Sequence, residues 1–264
     1  MSNDSEKWQW VDEDPIEKLL QAPALAPVSP GAESGTVGNA CATGRTQFGE
    51  LRFEEAADSF SAAIAAEPDH PTAHFDRAVC LEKLEQWMAS ADGFRRALEI
   101  DHSRTQAQVG LGSCLLHMDA AEQALACFEQ CLQSGAEREA GLLGKAVALQ
   151  QLARYEEADR AYRELLQIDP GAAEPLANLI ALSVARQDAA AVAEYSRRLL
   201  GVNPHSKAAL QGLALLAMRN GDQPAAVGYC KRLVEIDPDT FEGWFNLRFA
   251  QQRMRPEQPA RSIA

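Results

Sequence analysis

Two cysteines, Cys127 and Cys131, are the side chains whose spacing comes closest to a chemical function. Four residues apart on a helix, their thiols would lie on one face, one turn apart, where they could bind a metal ion. A zinc site needs about four ligands, however, and the sequence has no second pair at metal-ligand spacing. We therefore expect the cysteines to pack as small buried side chains, with no metal and no cofactor.

Other short patterns lack a part that their chemistry requires. His70 and His74 share the same spacing, but Pro71 begins a helix between them, which makes the pair incidental. Gly110-Leu111-Gly112 lacks the third glycine of a dinucleotide-binding loop, and Gly144-Lys145 lacks the earlier glycine of a phosphate-binding loop. Neither G-x-S-x-G nor H-E-x-x-H occurs. The sequence predicts no catalytic site and no enzyme.

The charge of the chain limits its partners. With a formal net charge of −13 and a pI near 4.9, most of the surface would repel a nucleic acid backbone. Residues 1–21 show no signal-peptide pattern, and no apolar run approaches the roughly 18 residues of a membrane span. We expect a soluble, cytoplasmic protein with reduced cysteines that binds neither nucleic acid nor membrane.

A period of 34 residues organises most of the chain. When each repeat is numbered from 1 to 34, positions 8 and 20 hold mostly small residues. Small residues in register are what two closely packed helices need, so the period predicts stacked pairs of helices. Position 24 is mostly aromatic and holds Phe60, Phe94, Phe128, Tyr162, Ser196 and Cys230. Position 32, where the second helix ends, holds Pro68, His102, Ala136, Pro170, Pro204 and Pro238.

These columns resemble the signature of the tetratricopeptide repeat family. The resemblance implies an all-α fold, a right-handed superhelical α-solenoid of helix-turn-helix repeats, across residues 37–255. A capping helix is expected at residues 241–255 and a tail at 256–264, whereas residues 1–36 lack the period and should form a flexible, acidic, proline-rich arm. The six repeats start at Val37, Pro71, Thr105, Glu139, Ala173 and Lys207.

In the resembled family, the first helices of the repeats line a concave groove that receives a peptide or helix of another protein. The resemblance implies a non-enzymatic scaffold or adaptor, such as an assembly factor or a co-chaperone-like protein. Asn178 and Asn246 stand in the column where family members use asparagine to hold a peptide backbone. The groove residues carried over to this sequence are Phe75, Val109, Leu116, Leu143, Val147, Asn178, Leu215, Met218, Phe245, Asn246 and Phe249.

Family members that grip the C-terminal carboxylate of chaperones share a clamp of lysine and asparagine. Because the matching places here hold different residues, the clamp is absent, and we expect chaperone tails that end in acidic residues to bind poorly. These places hold Cys41, Arg45, Asp76, Gln106 and Gly110.

Two alternatives stay open at this point. The apolar part of the arm, from Trp8 to Leu20, could dock in the groove of its own or a neighbouring copy, which would mask the groove or build a homo-oligomer. The second alternative is a regulatory or metal-handling subunit that uses Cys127, Cys131 and His117.

Overall fold

The computed structural model describes Leu25 and residues 35–239 and 241–254. Within these residues the chain forms thirteen α-helices and no strand, which confirms the all-α fold class and its helix-turn-helix repeats. The helices are α1 (Thr36–Gly49), α2 (Phe53–Ala66), α3 (Pro71–Lys83), α4 (Trp87–Ile100), α5 (Thr105–His117), α6 (Ala121–Ser134), α7 (Arg138–Gln151), α8 (Tyr155–Ile168), α9 (Ala173–Ala185), α10 (Ala189–Val202), α11 (Lys207–Arg219), α12 (Gln223–Ile236) and α13 (Phe241–Met254).

The described chain divides into two compact units, residues 35–164 and residues 165–254. In the first unit, the helices from α1 to α7 pack each on the next along the chain, and α5 also contacts α3 and α7. In the second unit, α9 to α13 pack in the same sequential manner, with α9 also touching α11. Within the first unit the first helices α3, α5 and α7 are therefore stacked in order, and within the second unit α9 is stacked on α11. The predicted boundaries of the arm, the array and the tail stay predictions.

The turn inside each hairpin is built by a residue in the left-handed region. These residues recur every 34 positions, and five of the six are not glycine: Leu51, Glu85, Asp119, Ala153, Gln187 and Gly221, with φ between 55° and 75°. The following residue donates its N–H to the carbonyl five residues earlier, as Gln86 does to Leu81 at 2.9 Å and Asp222 to Ala217 at 2.8 Å. This bond closes the end of the first helix in the manner of a Schellman motif.

Two helix ends follow sequence signals. Gly135 ends α6 in a left-handed conformation with φ of 76°, as its position after the helix predicts. Asp222 caps α12, because its carboxylate accepts a hydrogen bond from the N–H of Ala225 at 3.1 Å.

Large side chains at position 24 fill the core of the first unit by packing against glycines. A Cβ atom added at Gly112 would lie 2.6 Å from the ring of Phe128, and one added at Gly110 would lie 2.5 Å from the ring of Phe94. Gly144, on the next first helix, faces Phe128 from the other side. The ring of Phe128 thus sits between position 8 of its own repeat and position 6 of the next one.

The second unit fills the same space with a different distribution of volume. Position 24 there holds Ser196, whereas position 8 holds the larger Ile180, and a Cβ atom added at Gly212 would meet both side chains, at 2.7 and 2.9 Å. In this hairpin the larger side chain therefore stands at position 8 and the smaller one at position 24, the reverse of the arrangement around Phe128. Among the described segments, no helix has both the length and the hydrophobicity that a membrane span requires.

Candidate partner-binding face

We call first-helix face the side of the first helices that carries repeat positions 5, 6, 9 and 12, which includes every predicted groove residue. Seven of the eleven are buried: Phe75, Val109, Leu116, Val147, Asn178, Met218 and Asn246. The four with partly accessible side chains are Leu143, Leu215, Phe245 and Phe249. Membership of a binding groove stays a prediction for all eleven, but only these four offer apolar surface without a rearrangement.

In the unit of residues 165–254, a row of aromatic rings runs along α13. Phe241, Phe245 and Phe249 follow one another at intervals of one helical turn, with ring centroids 6.1 and 6.4 Å apart. The guanidinium group of Arg253 lies 4.9 Å from the centroid of the Phe249 ring and extends the row by one turn. We call these three rings the phenylalanine ladder. Its first member, 68% exposed, was not among the predicted groove residues, although its spacing from Phe245 could have revealed it.

The ladder adjoins the apolar core of its unit. Phe249 packs against a buried cluster that includes Met218 of α11 and Leu247 of α13. The structure therefore brings together two predicted groove residues from neighbouring first helices, Met218 and Phe249. Leu215, one turn before Met218 and half-buried, continues the apolar surface along α11.

Buried amides lie beneath the same face. Gln211, 1% exposed, has a buried side-chain oxygen without a hydrogen-bond partner, which is an energetically costly arrangement. It occupies position 5 of α11, the position that Phe245 occupies in α13. Asn178 and Asn246 are also buried, at 8% and 1% exposure.

In the unit of residues 35–164, the first-helix face is closed and carries buried charges. The ring of Phe75 is fully buried, and its centroid lies 5.6 Å from that of Phe94. The guanidinium of Arg104 lies 5.2 Å from the centroid of the Phe75 ring. Asp76, also fully buried, forms an ion pair with Arg45 at 3.1 Å. Two of the places that a carboxylate clamp would use are thus already paired with each other.

Glu82 is the second buried acid of this face. It is 1% exposed, and neither carboxylate oxygen has a hydrogen-bond partner. Burial raises its pKa to about 8, because a charged carboxylate is poorly solvated there. The charge of Lys83 and the hydroxyl of Ser113 oppose this rise only in part, and the hydroxyl lies outside hydrogen-bonding geometry. Glu82 is therefore mainly protonated at pH 7.

The residues considered for a metal site are placed as packing residues. Cys131 is buried, and burial raises its pKa to about 11, with the charge of Glu137 as a smaller cause. Burial also raises the pKa of Cys127. His117 stacks on Trp87 with ring centroids 3.9 Å apart and planes 4° from parallel. Nowhere in the described chain do three or more His, Cys, Asp or Glu side chains gather as a metal site would require, so these three residues form no such group.

Comparisons with known proteins agree with this architecture. A family model described as tetratricopeptide repeat matches residues 41–104 and 180–240, and a second model with the same description matches residues 141–171. The E3 ubiquitin-protein ligase CHIP of Arabidopsis thaliana is 33% identical over 73 residues, which are 28% of this chain and only 26% of that protein.

Two solved structures show the same fold. PilW, described as a widely conserved type IV pilus biogenesis factor, aligns with a TM-score of 0.71 at 16% identity, covering 83% of this chain and all of that one. YrrB, a TPR protein with an unusual peptide-binding site, aligns with a TM-score of 0.56 at 16% identity, covering 71% of this chain and 97% of that one. The repeated hairpins, their packing and these matches together show that the chain belongs to the tetratricopeptide repeat family.

Proposed function

We propose that this protein is a non-enzymatic scaffold or adaptor that binds a peptide or helix of another protein on its first-helix face. The observation that carries the proposal is the phenylalanine ladder, together with the half-buried Leu215 on the neighbouring first helix α11. A partly exposed apolar row of this kind is a common feature of protein interaction sites.

The fold comparisons support the class of activity. Tetratricopeptide repeat proteins generally mediate protein–protein interactions, and the solved relatives include one with a peptide-binding site and one described as a pilus biogenesis factor. By analogy with the latter, we propose the role of an assembly factor, in which a segment of a larger complex is held until it is incorporated.

Affinity capture with site-specific photo-crosslinking tests the proposal. We would place a photoreactive phenylalanine analogue at Leu215 and, as a control, at Val202, which is 52% exposed on the second helix α10. The proposal requires a partner that crosslinks at 215 and not at 202. The variant Phe245→Ser/Phe249→Ser should bind this partner with a dissociation constant about tenfold weaker, which corresponds to a loss of about 1.4 kcal/mol of binding free energy.

Because Phe245 and Phe249 also contribute to the core, the milder variant Phe241→Ser provides a second measurement. Its side chain is largely exposed, so the fold should be retained while the ladder is shortened. Recovery of the same partners by wild type, by both ladder variants and by a Val202→Ser control would overturn the proposed site.

A further inference from the structure

The side of α13 that a second helix would cover is exposed. In all six complete hairpins, position 8 is buried, and positions 4 and 11 are buried or half-buried. The second helix of the same repeat packs on this side, as Phe128 does on Gly112. Among the described residues, no second helix follows α13. Its residues at positions 4, 8 and 11 are accordingly exposed: Trp244, Arg248 and Gln251.

We call open face the side of α13 that carries Phe241, Trp244, Arg248 and Gln251, which follow one another at intervals of three or four residues. Phe241 and Trp244 are the two most exposed aromatic side chains of the described residues, at 68% and 53%. The indole N–H of Trp244 donates to the carbonyl of Pro238 at 2.8 Å, which fixes the orientation of the ring. Arg248, one turn further, is exposed and pairs with no carboxylate in the described part of the chain. The open face therefore has an aromatic half and a cationic, polar half.

The aromatic half and the cationic half are complementary to each other. Trp244 and Arg248 lie two residues before and two residues after position 6 of α13, and Phe241 and Gln251 lie five residues before and after it. An antiparallel pair of α13 helices related by a two-fold axis at position 6 would therefore set Trp244 of each copy against Arg248 of the other. Phe241 would face Gln251 in the same way. An arginine over an indole ring forms a favourable cation–π contact.

This symmetry selects a second copy of the chain as the partner. A two-fold contact uses the same surface of both copies, so every favourable pair is made twice. A parallel pair of the same helices would instead set Arg248 against Arg248 and lose both cation–π contacts. An apolar partner would desolvate Arg248 without pairing it. The chain already forms a contact of the required kind within α13, where the guanidinium of Arg253 lies 4.9 Å from the centroid of the Phe249 ring.

The available surface limits the strength of the contact. An aromatic side chain has roughly 150–250 Å² of surface, so the exposed fractions of Phe241 and Trp244 in two copies amount to roughly 500 Å². The methylene groups of Arg248 and Gln251 add to this area. The total stays below the roughly 1,200 Å² at which stable interfaces begin, so the dimer should be weak and reversible, with a dissociation constant on the order of 100 μM.

We propose that two copies of this chain form a weak, two-fold dimer through the open faces of their α13 helices. The helices pack antiparallel, with Trp244 of each copy on Arg248 of the other. Leu215, Phe245 and Phe249 lie outside this contact, so each copy keeps these proposed partner-binding residues. The inference goes beyond the proposed function, because it gives a partner two equivalent sites on one assembly.

Sedimentation velocity of the full-length protein over a concentration series measures the dimer. Wild type should sediment as a monomer when dilute and shift towards the dimer as its concentration approaches the dissociation constant. Arg248→Glu sets an acid against the indole of the other copy, and Trp244→Lys sets a second cation against Arg248. Each variant alone should dimerise at least about tenfold more weakly than wild type.

An equimolar mixture of the two variants tests the pairing itself. In the mixed dimer, Trp244 of the Arg248→Glu copy meets the intact Arg248 of the Trp244→Lys copy, and the two introduced charges, which are opposite, meet each other. Both pairs are favourable again, so the mixture should dimerise with a dissociation constant within about threefold of that of wild type. Native mass spectrometry should show that the recovered dimer contains one copy of each variant.

Two controls separate folding from pairing. Arg197→Glu makes the same change of charge at an exposed arginine of α10, outside the open face, and should dimerise as wild type does. Because Arg248 is exposed, Arg248→Glu should keep the fold, which circular dichroism checks. Its dimerisation alone decides the role of Arg248 if Trp244→Lys loosens α13.

Three results would overturn the proposal: wild type that stays monomeric throughout the series, Arg248→Glu that dimerises as wild type does, or two folded variants whose mixture does not recover the dimer. A monomeric wild type would leave residues 255–264 or another protein as the occupant of the open face. The proposed function is tested separately at Leu215, on a helix outside this contact. Partner capture at Leu215 by a monomeric protein would uphold the proposed function while the dimer fails.

Discussion

At the scale of single residues, Glu82 should make the stability of the protein depend on pH. Its pKa is about 8 in the folded chain against an ordinary value of 4.5, so between these pH values the folded chain holds a proton that the unfolded chain has released. The free energy of unfolding therefore falls as the pH rises from 4.5 to 8 and levels off above 8. Glu82→Gln removes this titration and should stabilise the protein by roughly 4 kcal/mol at pH 8.

Urea denaturation of wild type and Glu82→Gln at pH 5 and pH 8 measures this effect. The two proteins should differ little at pH 5, where the carboxyl is protonated in the folded chain. A stability difference that is the same at both pH values would show that the carboxyl is ionised, and therefore solvated, in the folded state.

Gly144 should tolerate no side chain while Phe128 keeps its ring. A Cβ atom at this position would overlap the ring, so Gly144→Ala should destabilise the first unit by about 2 kcal/mol despite the better helix propensity of alanine. Gly228→Ala is the matched control, because Gly228 lies in α12 with no atom within 4 Å of an added Cβ, and it should stabilise by about 1 kcal/mol.

A double-mutant cycle assigns the Gly144 effect to the ring. In a Phe128→Leu background the added methyl group has room, and the cost of Gly144→Ala should fall by at least about 1 kcal/mol. Equal costs in both backgrounds, measured by chemical denaturation, would mean that the substitution acts through the backbone instead.

At the scale of helices, the N-cap position differs between the second helices, and a second helix without a side-chain cap can be stabilised by adding one. Asp188 and Asp222 cap α10 and α12, each accepting a backbone hydrogen bond at 3.1 Å, whereas Ala120 holds the same repeat position before α6 without a cap. Ala120→Asp should therefore raise the free energy of unfolding by about 1 kcal/mol, and Asp188→Ala should lower it by a similar amount. If denaturation shows a loss for Asp188→Ala and no gain for Ala120→Asp, the backbone before α6 does not fit a cap.

The period predicted the helical hairpins but could not predict the turns within them. Small and aromatic residues recur because helix packing fixes their volumes, and such columns are visible in the sequence. The left-handed turn residues also recur every 34 positions, yet Leu51, Glu85 and Gln187 give no signal, because packing of the hairpin imposes the conformation against their own preference. Only Gly221 has the residue type that predicts such a turn.

At the scale of the whole chain, the sequence located the first-helix face but not its exposure. Column positions place Phe245 and Phe249 on this face because the repeat frame fixes which positions of a first helix lie there; that they line a groove stays a prediction. The burial of Phe75, Val109 and Leu116 is not given by the period, because it depends on how the surrounding side chains pack around α3 and α5. The burial of the Asp76 and Glu82 carboxyl groups could not be predicted either, since neighbouring repeats set their environment.

The buried ion pair of Asp76 with Arg45 affects which peptides the chain can bind. A peptide that ends in acidic residues needs cations on the first-helix face, but Arg45 is already paired with the fully buried Asp76, and the chain carries a formal net charge of −13. We therefore expect a chaperone-type acidic C-terminal peptide to bind with a dissociation constant weaker than about 100 μM, that is, with less than about 5.5 kcal/mol of binding free energy. Calorimetry in 150 mM salt, with an amidated peptide as the control for carboxylate recognition, measures it. A dissociation constant in the low micromolar range that is lost on amidation would show that Arg45 leaves Asp76 to bind the carboxylate, and that this face opens to partners after all.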